Sequence, residues 1–215
     1  VTSVMVVPHR SPLLAAKMLA TLDVLSKGRL VVGVGAGWMR EEFEALDLPP
    51  FEERGAGTDE YIQAGKELWT SDSPSYDSEY ASFSDISFNP QPVQKPHPPI
   101  WVGGESPPAL RRAATLGDTW YPIGANPRFP VGTLEQYSQY AARVRRYAEE
   151  AGRDPRTIRR VLNGTGYIGD RDPNDVIPET MGRRGGLMGN AARILETIDE
   201  YVELGVDTFQ LQFPG

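Results

Sequence analysis

Apolar residues along this chain come in two rhythms, short β-branched runs and longer stretches with a helical repeat, and the two alternate. Val1–Val7 (VTSVMVV) reads as a buried strand ended by Pro8, because a short run rich in β-branched residues fits a pleated surface. Ser11 and Pro12 then offer an N-cap and a first-turn proline, and Gly28 a stop. Between them Leu14, Met18, Leu22 and Leu25 recur on one helical face. The apolar run Leu30–Val34 follows as a second strand. Strand, helix, strand in that order is a βαβ unit, which predicts two parallel strands.

The alternation continues downstream. Glu41–Leu46 is a short helix broken by Pro49 and Pro50, and Thr58 is the expected cap of the next, whose apolar face carries Tyr61, Ile62, Leu68 and Trp69. Residues 71–98 depart from the rhythm, with Ser, Asp, Tyr and Pro dominant. Their short alternating pieces, Tyr80–Phe83 and Ile86–Phe88, predict a small hairpin within a surface insertion. Pro99–Gly103 is a strand, Ser106 caps a helix continuing through Leu110–Leu116, and Thr119–Ile123 is a strand. A long amphipathic helix covers Thr133–Ala151, with Tyr137, Tyr140, Ala141, Val144 and Ala148 inward and Gly152 as its stop. Ile158–Ile168 is a strand weakened by Gly164 and Gly166, and residues 169–189 read as loop. Asn190 opens a last helix with Ile194, Leu195, Ile198, Tyr201 and Val202, Gly205 stops it, and Val206–Phe213 closes as a strand.

Six strands interleaved with helices predict an α/β protein with a mostly parallel sheet, open or closed as a barrel. A (β/α)8 barrel needs eight strands and about 250 residues. The 215 residues here open in mid-strand at Val1, which predicts a single domain over 1–215, incomplete at its N-terminus.

Composition narrows the chemistry. A hydrophobic share of 40% and a charged share of 24% suit a globular protein. The net charge of −7 argues against nucleic acid as a partner. No window approaches a membrane span, and no signal peptide is visible. The absence of cysteine removes disulfides and thiolate catalysis and suits a cytoplasmic location. With only His9 and His97, a His-rich metal site is not expected.

Candidate chemistry gathers at two glycine turns. In Arg29–Phe43 (RLVVGVGAGWMREEF), Gly33, Gly35 and Gly37 lie between a strand and an acidic helical start, where backbone amides can approach a ligand. The second is Gly103, Gly104, Glu105 and Ser106, after a strand and at a helix N-terminus. Since Pro107 and Pro108 lack an N–H, an anion there would use the amides of Gly104, Glu105, Ser106 and Ala109, or the Ser106 hydroxyl. A plain N-cap would give the same pattern. Thr2 and Ser3 fit polar residues satisfied within the first strand, and Trp38 fits either a core or a ring-facing role. Glu41 and Glu42 stand in a first helical turn, where acids are favoured anyway. His97 reads as a loop residue, His9 as a possible substrate-facing one, and the Arg183-Arg184 pair as a solvated loop. No nucleophilic triad, carboxylate pair or metal constellation stands out, which suits an enzyme whose cofactor does the chemistry.

Two long runs carry a resemblance. PHRSPLLAAKMLATLDVLSKGRLVVGVGAGWMREEFEAL and FNPQPVQKPHPPIWVGGESPPALRRAATLGDTWYPIG resemble the signatures of the luciferase-like monooxygenase superfamily, in particular its coenzyme F420-dependent oxidoreductases. The resemblance implies a (β/α)8 TIM barrel of the bacterial luciferase-like type, lacking here its first two strands and carrying an insertion at about 71–98. It also implies a flavin or deazaflavin at the C-terminal ends of the strands, a small-molecule substrate and a homodimer. Ser3-Val4 matches the position of a non-prolyl cis peptide behind the cofactor ring, and Gly35, Ala36, Gly37 and Trp38 match a turn beside the cofactor. Glu41 matches a nearby polar position; Gly103, Gly104, Glu105 and Ser106 match the loop that holds the cofactor's phosphate. Catalytic residues are not identified; His9, Trp38 and Glu41 are the candidates.

Ala36 stands where flavin-using relatives carry Arg, which leans the expectation towards hydride transfer with F420. The alternatives are a reduced-FMN monooxygenase of the same superfamily and a truncated barrel that binds a cofactor or partner without turnover. A methyltransferase or dinucleotide fold would want an acidic residue ending a strand about 20 residues after the glycines, and Phe51–Thr58 is a proline-bounded loop there.

Overall fold

The computed structural model describes residues 1–124, 126–172 and 185–213. They fall into two compact units, Val1–Trp101 and Val102–Gly215.

In the first unit, β1 (Met5–Val6) and β2 (Val32–Gly35) pair in parallel, with Met5 opposite Val34 and Val6 opposite Gly35. The βαβ expectation holds, yet β1 is much shorter than the apolar run Val1–Val7. The Ser3-Val4 peptide is cis, and Val7–His9 winds into a 3-10 turn. Thr2 stays attached by a donor bond from its amide to the Val31 carbonyl at 3.2 Å.

α1 (Pro12–Leu25) turns Ala15, Ala16, Leu19, Ala20 and Asp23 inward. The larger periodic residues Leu14, Met18, Leu22 and Leu25 lie outside, 46% to 73% exposed. Small alanines let the helix approach its neighbours closely; the buried Trp69 indole donates to the Ala16 carbonyl at 3.1 Å. The buried Asp23 carboxylate accepts from the Gln94 amide at 2.9 Å and from Gln94 Nε2 at 2.7 Å, which ties the end of α1 to the segment before the next long strand.

After α2 (Arg40–Ala45), a 3-10 turn leads into α3 (Arg54–Thr70). Thr58 is therefore not a cap. It lies buried inside α3 and donates its hydroxyl to the Arg54 carbonyl at 2.6 Å. The insertion does form a hairpin, but from β3 (Tyr76–Asp77) and β4 (Ser82–Phe83), with Tyr76 opposite Phe83. β5 (Ile100–Gly103) straddles the division between the units.

The second unit continues with α4 (Pro107–Thr115), β6 (Thr119–Tyr121), α5 (Leu134–Glu150) and β7 (Arg159–Ile168). Then come β8 (Gly186–Gly189), α6 (Ala191–Glu203) and β9 (Thr208–Gln212). The expected cap at Ser106 forms, accepting from the Ala109 amide, and the two residues read as helix starts prove to be caps as well: Thr133 makes a reciprocal capping box with Gln136, and Asn190 accepts from the Arg193 amide. β7 pairs in parallel with β6 from Thr119 and Trp120, with β9 along Val161–Thr165, and with β8 along Thr165–Ile168.

β8 corrects the reading of 169–189 as loop. Of the two glycines that read as weakening β7, Gly164 lets another backbone approach, since a Cβ there would lie 1.9 Å from the Gly185 carbonyl, and Gly166 makes room for the Phe213 ring; on the β8 side a Cβ on Gly186 would lie 2.0 Å from the Thr165 carbonyl. The Arg183-Arg184 pair falls outside the described residues. Tyr137 anchors α5 on β7, its buried hydroxyl donating to the Val161 carbonyl at 3.1 Å, and burial raises its pKa. Among the described residues no helix is long and apolar enough to cross a membrane.

Candidate functional site

In the first unit the glycine turn is filled from within. A Cβ on Gly33 would lie 1.8 Å from the Thr2 carbonyl, one on Gly35 would lie 2.8 Å from Val4 Cγ2, and one on Gly37 would meet Val6 and Phe43 at 2.9 and 2.8 Å. The spacing of these glycines thus serves the chain segment 2–6, which folds over β2 and takes the room a side chain would need. Thr2 completes the seal, its hydroxyl donating to the Gly33 carbonyl at 2.9 Å and accepting from the Gly33 amide at 2.8 Å. Gly35, Ala36 and Gly37 run on from the C-terminal end of β2, while Ser3 and Val4 stand just before β1, where Val4 packs against Gly35. Trp38 follows directly and stands 79% exposed.

Behind the turn runs an aromatic row. His9 meets the edge of Phe43 at 5.2 Å between ring centroids, and Phe43 meets Phe51 edge-on at 5.3 Å. The Arg54 guanidinium stacks 3.7 Å from the Phe51 centroid and donates to the carbonyls of Gly37 (3.2 Å) and Phe51 (2.7 Å). Sequence reading missed Arg54 and Phe43, because nothing in local spacing ties α2 or the start of α3 to the glycines. Arg54 also supplies a cation beside the turn that Ala36 was expected to leave without one, although these two carbonyls already take some of its donors.

The catalytic candidates separate. His9 Nε2 is shielded from solvent, has no hydrogen-bond partner among the described residues and lies 3.8 Å from Glu42 Oε2. The acid facing His9 is therefore Glu42, while Glu41 is exposed on α2. His97 sits beside Trp69, its Nδ1 2.9 Å from the Pro98 carbonyl oxygen. Among the described residues no group of three or more His, Cys, Asp or Glu could hold a metal.

In the second unit the loop Gly103–Ser106 opens α4. Two of the four amides proposed for an anion are used internally: Gly104 donates to the Tyr121 carbonyl at 3.1 Å, and Ala109 to Ser106 Oγ at 3.4 Å. The Gly104 carbonyl accepts from the Trp120 indole at 3.0 Å. Glu105 is 2% exposed, and its Oε1 accepts from the amides of Ile123 (2.5 Å) and Gly124 (2.7 Å). Burial, with the Glu105 charge added, raises the Tyr140 pKa. Sequence reading placed Glu105 in this loop for its backbone and missed what its side chain does.

Residues 1–174 match the family model described as luciferase-like monooxygenase. An FMNH2-dependent dimethylsulfone monooxygenase of Pseudomonas putida is 42% identical over 118 residues, which is 54% of this chain and 32% of that protein. The aligned stretch is thus about a third of that relative's length. An uncharacterized protein of Mycobacterium tuberculosis is 32% identical over 211 residues, 93% of this chain and 69% of that one. Among solved structures, an F420-dependent secondary alcohol dehydrogenase in complex with an F420-acetone adduct aligns with a TM-score of 0.71 at 19% identity, covering 94% of this chain and 69% of that chain.

Proposed function

The chain belongs to the luciferase-like monooxygenase family, and we propose that it is an oxidoreductase working on a small organic substrate with a tricyclic flavin-type cofactor, reduced FMN ahead of F420. Its fold is that of the family's α/β barrels. The observation that carries the reading is Trp38, a large apolar ring left 79% exposed at the end of a turn whose interior is already packed. An indole in that position offers a flat face to a planar ligand.

When bound, the cofactor supplies the two-electron reduction. The chain's own part is to bind, orient and keep water out. Val4 and the Gly35–Trp38 turn form the wall for a ring, with Phe43, Phe51 and Arg54 as its backing. Ser106 and the loop Gly103–Glu105, at the N-terminus of α4, are the candidates for phosphate. His9 and Glu41 receive no catalytic role here; His9 belongs to the backing.

Reduced FMN comes first because the Pseudomonas putida relative is named for it and because Arg54 reaches the turn despite Ala36. F420 remains the second reading, favoured by the missing side-chain cation at position 36 itself. We further infer that the outer face of α1 is covered in the whole barrel by another βα unit, given its apolar residues; a homodimer is the family's alternative cover. Anaerobic calorimetric titration with reduced FMN and with F420 tests the cofactor. FMN binding alone supports the first reading, F420 binding alone reverses the order, and binding of neither favours a non-catalytic barrel.

A further inference from the structure

Glu105 is a carboxylate held in the interior by backbone. Its Oε1 accepts from two successive amides, Ile123 at 2.5 Å and Gly124 at 2.7 Å, while the residue is 2% exposed. Successive N–H groups converging on one point form a nest, a concavity that binds anions. Gly124 itself has φ +70, a left-handed value that glycine adopts without strain as the chain leaves the nest. The turn is held from its other side as well, since Asn163 Nδ2 donates to the Ile123 carbonyl at 3.4 Å. Gly104, next to Glu105, is pinned through its amide to Tyr121 and through its carbonyl to Trp120. The segments that follow β5 and β6 are thus joined to each other and to the middle of β7, at residues 104–105, 123–124 and 163.

We propose that Glu105 is a positioning residue, a built-in anion that fills the Ile123–Gly124 amide nest and so shapes the strand-end turn the cofactor meets. A phosphate or carboxylate ligand has the chemistry to occupy the same nest, and the chain's own carboxylate keeps it out. The effect on the cofactor rests on the oxidoreductase reading above; the nest itself does not. Charge-assisted bonds from backbone amides are about twice as strong as neutral ones, and two part-buried amides left without an acceptor would destabilise the turn.

The test uses the full chain, labelled with 15N, in wild-type, Glu105→Ala and Glu105→Gln forms. In the wild type the Ile123 and Gly124 amide signals should lie downfield, exchange slowly and ignore added formate. In Glu105→Ala both signals should move upfield and exchange at least about tenfold faster. Formate or inorganic phosphate should restore them, and chloride at equal ionic strength should not. Glu105→Gln keeps a neutral acceptor, so it covers the case in which the alanine variant fails to fold; it should give a smaller upfield shift.

Calorimetric titration of the same proteins with reduced FMN should show an affinity about tenfold lower in Glu105→Ala, recovered with formate. Unchanged amide signals in both variants, or equal rescue by chloride, would overturn the proposal. If the amides respond as expected while the wild type binds neither FMN nor F420, the nest stands and the oxidoreductase reading falls.

Discussion

Two glycine turns follow two strands in this chain and read almost alike, yet they are built on opposite plans. At Gly33–Trp38 the first glycine makes room for the Thr2 backbone, and Gly35 and Gly37 make room for Val4, Val6 and Phe43, which pack the turn from within. At Gly103–Ser106 the turn is held by polar bonds, from the Gly104 amide and carbonyl and from the buried carboxylate of Glu105. The first presents a hydrophobic ring outward; the second turns its charge inward. Glycine spacing alone says only that backbones come close. Which partner comes close decides whether the result is a wall or a clamp.

The contrast can be broken most forcefully at Gly33. Placing alanine there sets a Cβ 1.8 Å from the Thr2 carbonyl, and backbone, unlike a side-chain tip, has nowhere cheap to go. Gly33→Ala should cost about 3 kcal/mol, read as a lower urea midpoint with an unchanged slope. A loss below about 1 kcal/mol would show that segment 2–6 is not seated as described.

Gly104 should be more forgiving. Its φ of +111 strains any L side chain, and a new Cβ would stand 3.2 Å from that of Ala109. Gly104→Ala is expected to lose about 1–2 kcal/mol in the same denaturation assay. A loss equal to that of Gly33→Ala would erase the distinction between packed and polar turns.

The mildest change in stability belongs to Trp38. Trp38→Ala should leave the unfolding free energy within about 0.5 kcal/mol, because so little of the side chain is buried. Affinity for reduced FMN should nevertheless drop about tenfold by calorimetry. Unaltered affinity would remove the indole from the proposed site.

How much of this was legible in the sequence depends on the range of the physics involved. Local signals read well. The cap at Ser106 and the helix starts at Thr133 and Asn190 follow from residues within a few positions of each other, and the first βαβ unit follows from periodicity and connection length. The cis Ser3-Val4 peptide came from family resemblance rather than from any local rule. Periodicity on α1 identified a face but not its side: Leu14 and Met18 look out, while Ala15, Ala16 and Leu19 look in. β8 escaped notice because two of its four residues are glycines, and the value of one of them, Gly186, lies in the backbone of β7 that approaches it. Glu105 and Arg54 were hidden for the same reason, since their partners at Ile123 and Gly37 are far along the chain.

The exposure of Trp38 has a practical consequence. Of the four tryptophans, Trp69, Trp101 and Trp120 are at most 8% exposed. With excitation confined to tryptophan, collisional quenchers such as iodide therefore reach essentially a single indole in the native chain. The protein carries its own optical probe at the edge of the proposed site, and occupancy can be followed by light without a label.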